Sequence, residues 1–257
     1  MNEFPVARAK QASYENIIVE CPWCGKENIF NRASDLHTFE PIAGLDVSCQ
    51  NVECGKPFRI VGDSVNNPHE MLFLDCYELL ERKHYMNSIL TLTQAYEVFF
   101  SLFLRVELLY KPFAHDKRRD ERKDINHFNR LAEMLSKKVE RCTFIPMRKL
   151  FLQQIIAAPR PANLAEAETL VARLRVPSCE PTDTELERLG DEELVALLKR
   201  VKNTTIHKLR NAVVHKQAYR PTQEETEAAL EEARSVLFPL TSRLGLYDDI
   251  NWYLKRL

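Results

Sequence analysis

Lys208-Leu209-Arg210-Asn211-Ala212-Val213-Val214-His215-Lys216 holds an arginine, a carboxamide and an imidazole in a stretch free of proline and glycine. On an α-helix each residue turns about 100°, so Asn211 and His215, four apart, share a face, and His207 falls on it too. Arg210 starts about 140° away from His215, but its long side chain can wrap back toward the same spot. An imidazole can move a proton near neutral pH. A guanidinium can grip a phosphate through two parallel hydrogen bonds. The pattern predicts a helix equipped for phosphodiester chemistry.

The surroundings of this stretch are helical in composition. Leu, Glu, Ala, Arg and Lys dominate after residue 68, and only 6 glycines occur in 257 residues. Apolar residues make up 45%, enough for a sizeable core. With 36 basic against 37 acidic residues the formal charge is −1, which excludes a histone-like binder driven by bulk charge while leaving room for a local basic patch. Met1-Asn2-Glu3-Phe4-Pro5 lacks the basic start and apolar core of a signal peptide. The longest apolar run, Val98 to Leu109, is interrupted by Ser101, Arg105 and Glu107 and is expected to be too short and too charged to span a bilayer. The expectation is a cytoplasmic protein with no membrane contact.

Seven cysteines are present, and four fall in two close pairs. The strand-like Asn16–Cys21 runs into Cys21-Pro22-Trp23-Cys24-Gly25-Lys26, and the strand-like Leu45–Cys49 runs into Cys49-Gln50-Asn51-Val52-Glu53-Cys54-Gly55-Lys56. A further strand-like run, Pro57–Val61, comes next. In a reducing compartment such pairs are metal ligands rather than disulfides. Cys21, Cys24, Cys49 and Cys54 can supply four thiolates to one tetrahedral structural zinc, with the glycines letting the backbone turn so that its amides approach the sulfurs. The arrangement resembles a zinc ribbon over residues 14–62. Its second knuckle has four residues between the cysteines where two are more usual, so that loop must bulge. Trp23 and Phe58 are candidates to stack on unpaired bases, and Lys26, Lys56 and Arg59 to meet phosphates; packing on a neighbour is the alternative. The remaining cysteines suggest no nucleophile: Cys76 and Cys142 are expected in the core and Cys179 in a loop.

Gly62–Asn67 is polar and breaker-rich, a linker. Asn67-Pro68-His69-Glu70 then has the marks of a helix start: cap, proline, acid. A helical region in two pieces should run to about Tyr110, with Ile89, Leu92, Tyr96, Phe99, Phe103 and Val106 forming one buried stripe. Apolar residues on its other sides mark it as central, or as packed on a second subunit. Glu97 lies within this stripe and is expected to face solvent. Lys111-Pro112 should end the helix. The charged run His115–Asp124 reads as a solvated loop, and helices are expected over Ile125–Cys142, Pro146–Ala158 and Asn163–Val176. Thr182-Asp183-Thr184-Glu185 and Asp191-Glu192-Glu193 are two further helix starts, separated by Gly190, and Pro221-Thr222-Gln223-Glu224-Glu225 opens the last helix with a capping box.

Residues 68–257 resemble the HEPN superfamily of helical-bundle domains. The likeness rests on Arg210-Asn211 followed after three residues by His215, the family's Arg-x4-His motif, and more loosely on the early helix around Ala95-Tyr96-Glu97. The resemblance implies a mostly α protein, a small β zinc ribbon followed by a HEPN-like bundle that often dimerises with two motifs facing a shared cleft. It implies a metal-independent endoribonuclease, with the roles of a toxin or defence effector and with RNA, a second copy and a protein partner or inhibitor as associates. In that reading His215 is the general acid or base, Arg210 stabilises charge on the phosphorane-like transition state, and Asn211 orients His215 or a phosphate oxygen. Attack by the ribose 2′-OH would leave a 2′,3′-cyclic phosphate, and DNA would be inert. A non-catalytic RNA- or protein-binding adaptor, or a nucleotide-binding module, is the alternative on the same fold.

Overall fold

The computed structural model describes residues 16–37, 45–60, 67–115, 121–157, 160–216, 219–248 and 253. The lead-in, linker positions 62–66, positions 116–120 of the charged run and positions 158–159 lie outside the described residues. The chain divides into two compact units, Met1–Asn66 and Asn67–Leu257. It is mostly α, with a small β part near the N-terminus.

The first unit contains two antiparallel hairpins. Strand β1 (Asn16–Glu20) pairs with β2 (Glu27–Asn31), and β3 (Leu45–Ser48) pairs with β4 (Pro57–Ile60), each pair a separate two-stranded sheet. Strand β2 has no counterpart among the sequence expectations. Its pattern, Asn28-Ile29-Phe30, alternates too briefly to stand out, and its partner is what makes it a strand. Ile17, Cys21, Phe30, Cys49, Phe58 and Ile60 form the small core. Phe58 is therefore packed inside, against Phe30 at 6.3 Å, and is not available to stack on bases.

The second unit is a helical assembly around one long element. Helix α1 (Pro68–Glu81) leads into α2 (Tyr85–Arg105), which continues through a π-helical turn (Val106–Tyr110) into α3 (Lys111–His115). Then follow α4 (Glu121–Val139), α5 (Phe144–Ile156), α6 (Leu164–Arg173), α7 (Asp183–Glu187), α8 (Glu192–Asn203), α9 (Ile206–His215) and α10 (Gln223–Leu244). Helix α2 packs against α1, α5, α9 and α10. Phe99, Phe100, Phe103 and Leu104 are fully covered within the unit, so the apolar girth of α2 needs no second subunit to explain it. Phe103 meets Phe151 of α5 edge to face at 4.8 Å, and Tyr96 and Phe100 meet Phe144 at 5.7 and 5.8 Å. Each such ring contributes roughly 2–3 kcal/mol by leaving water.

Two helix boundaries differ from expectation. The helix does not end at Lys111-Pro112. The Lys111 N–H reaches back to the Val106 carbonyl, five residues away, and this widened turn resets the ladder so that Pro112 falls at the start of α3, where a missing N–H costs little. The run Tyr85–His115 is thereby long and apolar enough to cross a membrane, but most of it is buried inside the unit as its central helix. Helix α4 also starts earlier, at Glu121, inside the charged run.

The expected caps fall where the sequence places them. Thr222 accepts the Glu225 N–H at 3.1 Å while Glu225 accepts the Thr222 N–H at 2.9 Å. Asn67 does more than start α1: its Nδ2 donates to the Leu246 carbonyl and its Oδ1 accepts the Asp248 N–H, tying α1 to the chain leaving α10.

Candidate functional site

Helix α9 carries the Arg-Asn-His stretch. Its buried side, Ile206, Ala212 and Val213, lies on the core and packs against α2. This leaves Asn211 and His215 exposed and Arg210 half-buried. His215 is the last helical residue, at the C-terminal end of α9.

Arg210 and Asn211 are in direct contact: the guanidinium donates to Asn211 Oδ1 at 3.2 Å. Asn211 therefore orients Arg210. Among the described residues neither of them is hydrogen-bonded to His215, so the expected pairing of Asn211 with His215 across one helical turn is not the one that forms. Adjacent residues on a helix normally diverge, but the long arginine folds over to reach the amide.

Glu97 of α2 belongs to the same neighbourhood. It is half-buried rather than solvent-facing, and its carboxylate accepts the backbone N–H of Phe144. Phe144 is the first residue of α5, and the preceding Thr143 makes no side-chain cap. Glu97 thus caps α5 from another helix. Burial raises its pKa, while the Phe144 amide and the Arg210 guanidinium pull it back down. The carboxylate gives Arg210 a charge to lean on from behind.

His207, one turn earlier on α9, plays a packing part. Its ring stacks on Phe144 at 5.8 Å, nearly parallel, and burial followed by the Arg148 charge lowers its pKa. Arg148 is itself buried and paired with Glu180 at 2.8 Å. Tyr219 donates to Glu225 at the start of α10.

The second candidate site lies in the first unit. The sulfurs of Cys21, Cys24, Cys49 and Cys54 all fall within 4.8 Å of one another and can hold a metal ion. Each knuckle forms the tip of a hairpin, and Gly25 and Gly55 adopt φ of 66° and 55° to turn the chain back, a conformation that favours glycine. The Cys21 and Cys54 sulfurs lie 3.9 Å apart and those of Cys24 and Cys49 3.7 Å. A tetrahedral ion with metal–sulfur bonds of about 2.3 Å sets its sulfurs about 3.8 Å apart, so the donor set fits one. The Lys26 amide lowers the Cys24 thiol to about 7, whereas burial and the neighbouring thiols push Cys49 up to about 11. Four thiolates at this spacing repel one another unless a cation joins them.

The cations near the ribbon are already engaged. Lys56 lies over the Trp23 ring at 5.3 Å, Arg59 pairs with Asp46 at 3.5 Å and Lys26 approaches Glu53 at 4.0 Å. Trp23 is exposed, but its Nε1 donates to the Pro57 carbonyl at 2.9 Å. It joins the two hairpins, and one ring face is covered by Lys56.

No protein-family model, no curated protein and no solved structure matches this chain.

Proposed function

We propose that the helical unit is a HEPN-type, metal-independent endoribonuclease with a toxin or defence role, and that the four cysteines bind a structural zinc. The observation that supports this reading best is α9, which carries both an exposed imidazole and a guanidinium held by Asn211 and backed by Glu97. His215 would remove the ribose 2′-OH proton or return one to the leaving oxygen. Arg210 would meet the charge growing on phosphorus, where donors placed in advance are worth most. Asn211 holds the guanidinium through its Oδ1. RNA is the substrate because only RNA offers the attacking hydroxyl. A second copy would bring two such faces together, and reduced cysteines go with a cytoplasmic setting.

A second reading is a non-catalytic adaptor that grips RNA or a protein partner. It is favoured by one observation: Arg210 already has Asn211 as a partner, and neither residue is bonded to His215. One experiment separates the two. The full chain, Arg210→Ala and His215→Ala are incubated with a mixed RNA pool and with matching DNA, with and without EDTA, and the ends are mapped. Nuclease activity predicts 2′,3′-cyclic phosphate ends on RNA alone, cleavage that persists with EDTA, and a loss of at least about 100-fold in either variant. Undiminished cleavage by both variants would sink the assignment. RNA retained without cleavage would support the adaptor.

A further inference from the structure

The second knuckle is longer than the first by Gln50 and Asn51. In the first knuckle the Cys21 carbonyl accepts the Gly25 N–H at 2.9 Å. In the second, the carbonyl that accepts the Gly55 N–H at 2.9 Å belongs to Asn51, and it accepts the Cys54 N–H as well. Cys49 keeps the pairing that closes the hairpin, its N–H donating to the Lys56 carbonyl as that of Cys21 donates to Lys26. Two jobs that Cys21 performs alone, ligation and turn-making, are divided here between Cys49 and Asn51.

The division leaves the Asn51 side chain unused by the turn, and it reaches the other knuckle. Asn51 Nδ2 donates to the Cys24 sulfur at 3.8 Å, while the Asn51 backbone N–H donates to the Cys49 sulfur. Gln50 bonds to the opposite hairpin. Its Oε1 accepts the Ile29 N–H at 3.0 Å and its Nε2 donates to the Ile29 carbonyl at 2.8 Å, so the side-chain amide substitutes for a neighbouring strand. The Gln50 N–H donates to Asn28 Oδ1 at 2.6 Å, and the buried Asn28 donates to the Lys26 carbonyl at 2.9 Å.

We propose that Gln50 and Asn51 form a brace for the metal site. Asn51 is a positioning residue that draws charge from the Cys24 and Cys49 sulfurs, and Gln50 holds the knuckles at ligating distance before an ion arrives. The inference rests on the four thiols being a metal site. Donors of this kind orient ligands and typically contribute 10–100-fold in metal affinity.

The test loads the full chain with Co(II), reads the thiolate-to-cobalt charge-transfer band and measures affinity by chelator competition. Asn51→Asp keeps the size and both carbonyl bonds of the turn but removes the N–H donor to sulfur. It should weaken binding by about 10–100-fold and shift the charge-transfer band. Gln50→Ala should weaken binding with the band unmoved, since Gln50 touches no sulfur. Val52→Ala, at a position 98% exposed, should match the wild type. Wild-type affinity and an unmoved band in Asn51→Asp, with wild-type affinity in Gln50→Ala, would overturn the brace and leave the metal site standing. Absence of Co(II) uptake by the wild type would overturn both.

Discussion

Half-buried Glu97 and fully buried His69 are two ionisable groups with different consequences. The Glu97 carboxylate caps α5 through the Phe144 N–H. Its replacement by Ala should therefore cost about 1 kcal/mol, the usual worth of an N-cap. Glu97→Gln retains an acceptor and should cost much less; equal losses in urea titrations of the two variants would rule out the cap. His69 lies wholly inside, its Nε2 2.9 Å from the Thr241 hydroxyl and its Nδ1 without a hydrogen-bond partner among the described residues. Burial lowers its pKa from 6.5 to about 4. The folded state thus keeps His69 neutral where the unfolded chain protonates it. The associated stability is complete above pH 6.5 and is lost as pH falls toward 4, by roughly 3 kcal/mol over that window. Glu70, raised by burial, titrates with the opposite sign, so the comparison is with His69→Leu, which keeps Glu70. The wild type should lose more stability than this variant between pH 7 and 5, and parallel melting curves would refute the assignment.

At the scale of elements, the π-turn is where α2 and α3 join without a break, and it carries a buried acid. Glu107 is 5% exposed, ion-paired with Lys111 one turn on and with Arg160 at 3.1 Å. The two cations keep part of their surface in water, whereas the carboxylate does not. Removing both cations strands a buried charge and should cost about 3 kcal/mol or more, while Glu107→Ala leaves hydrated cations and should cost less. Guanidinium-chloride titration of Lys111→Ala/Arg160→Ala beside Glu107→Ala checks the order, which a purely packing role for Glu107 would reverse. The same element shows why a proline is a poor stop signal on its own. Its damage depends on which carbonyl the missing N–H would have served, and one residue added to a turn changes that.

For the molecule as a whole, the two units draw on different sources of stability. The ribbon core consists of a few side chains, two buried cysteines among them, too little to fold unaided. The helical unit encloses a continuous aromatic and aliphatic core. Chelation should therefore melt the ribbon and leave the helical unit intact. Circular dichroism at 222 nm should keep most of its amplitude in EDTA, while Trp23 emission should change as its bond to Pro57 is lost. A parallel collapse of the helical signal would show that the bundle depends on the metal.

The sequence by itself determined the mostly α character, the cysteine quartet, the capped starts of α1 and α10 and the placement of Arg210, Asn211 and His215 on one helix. All of these depend on local spacing, which composition and periodicity carry directly. Tertiary structure alone decided the rest. Strand β2 exists because β1 pairs with it, Phe58 turns inward because Phe30 is opposite, and Glu97 caps a helix that begins far along the chain. Arg210 selects Asn211 over His215 because its side chain folds across the helix, a preference that 100° steps cannot express. A neighbour distant in sequence leaves no periodic trace, and at each of these positions such a neighbour or a side-chain rotamer made the choice.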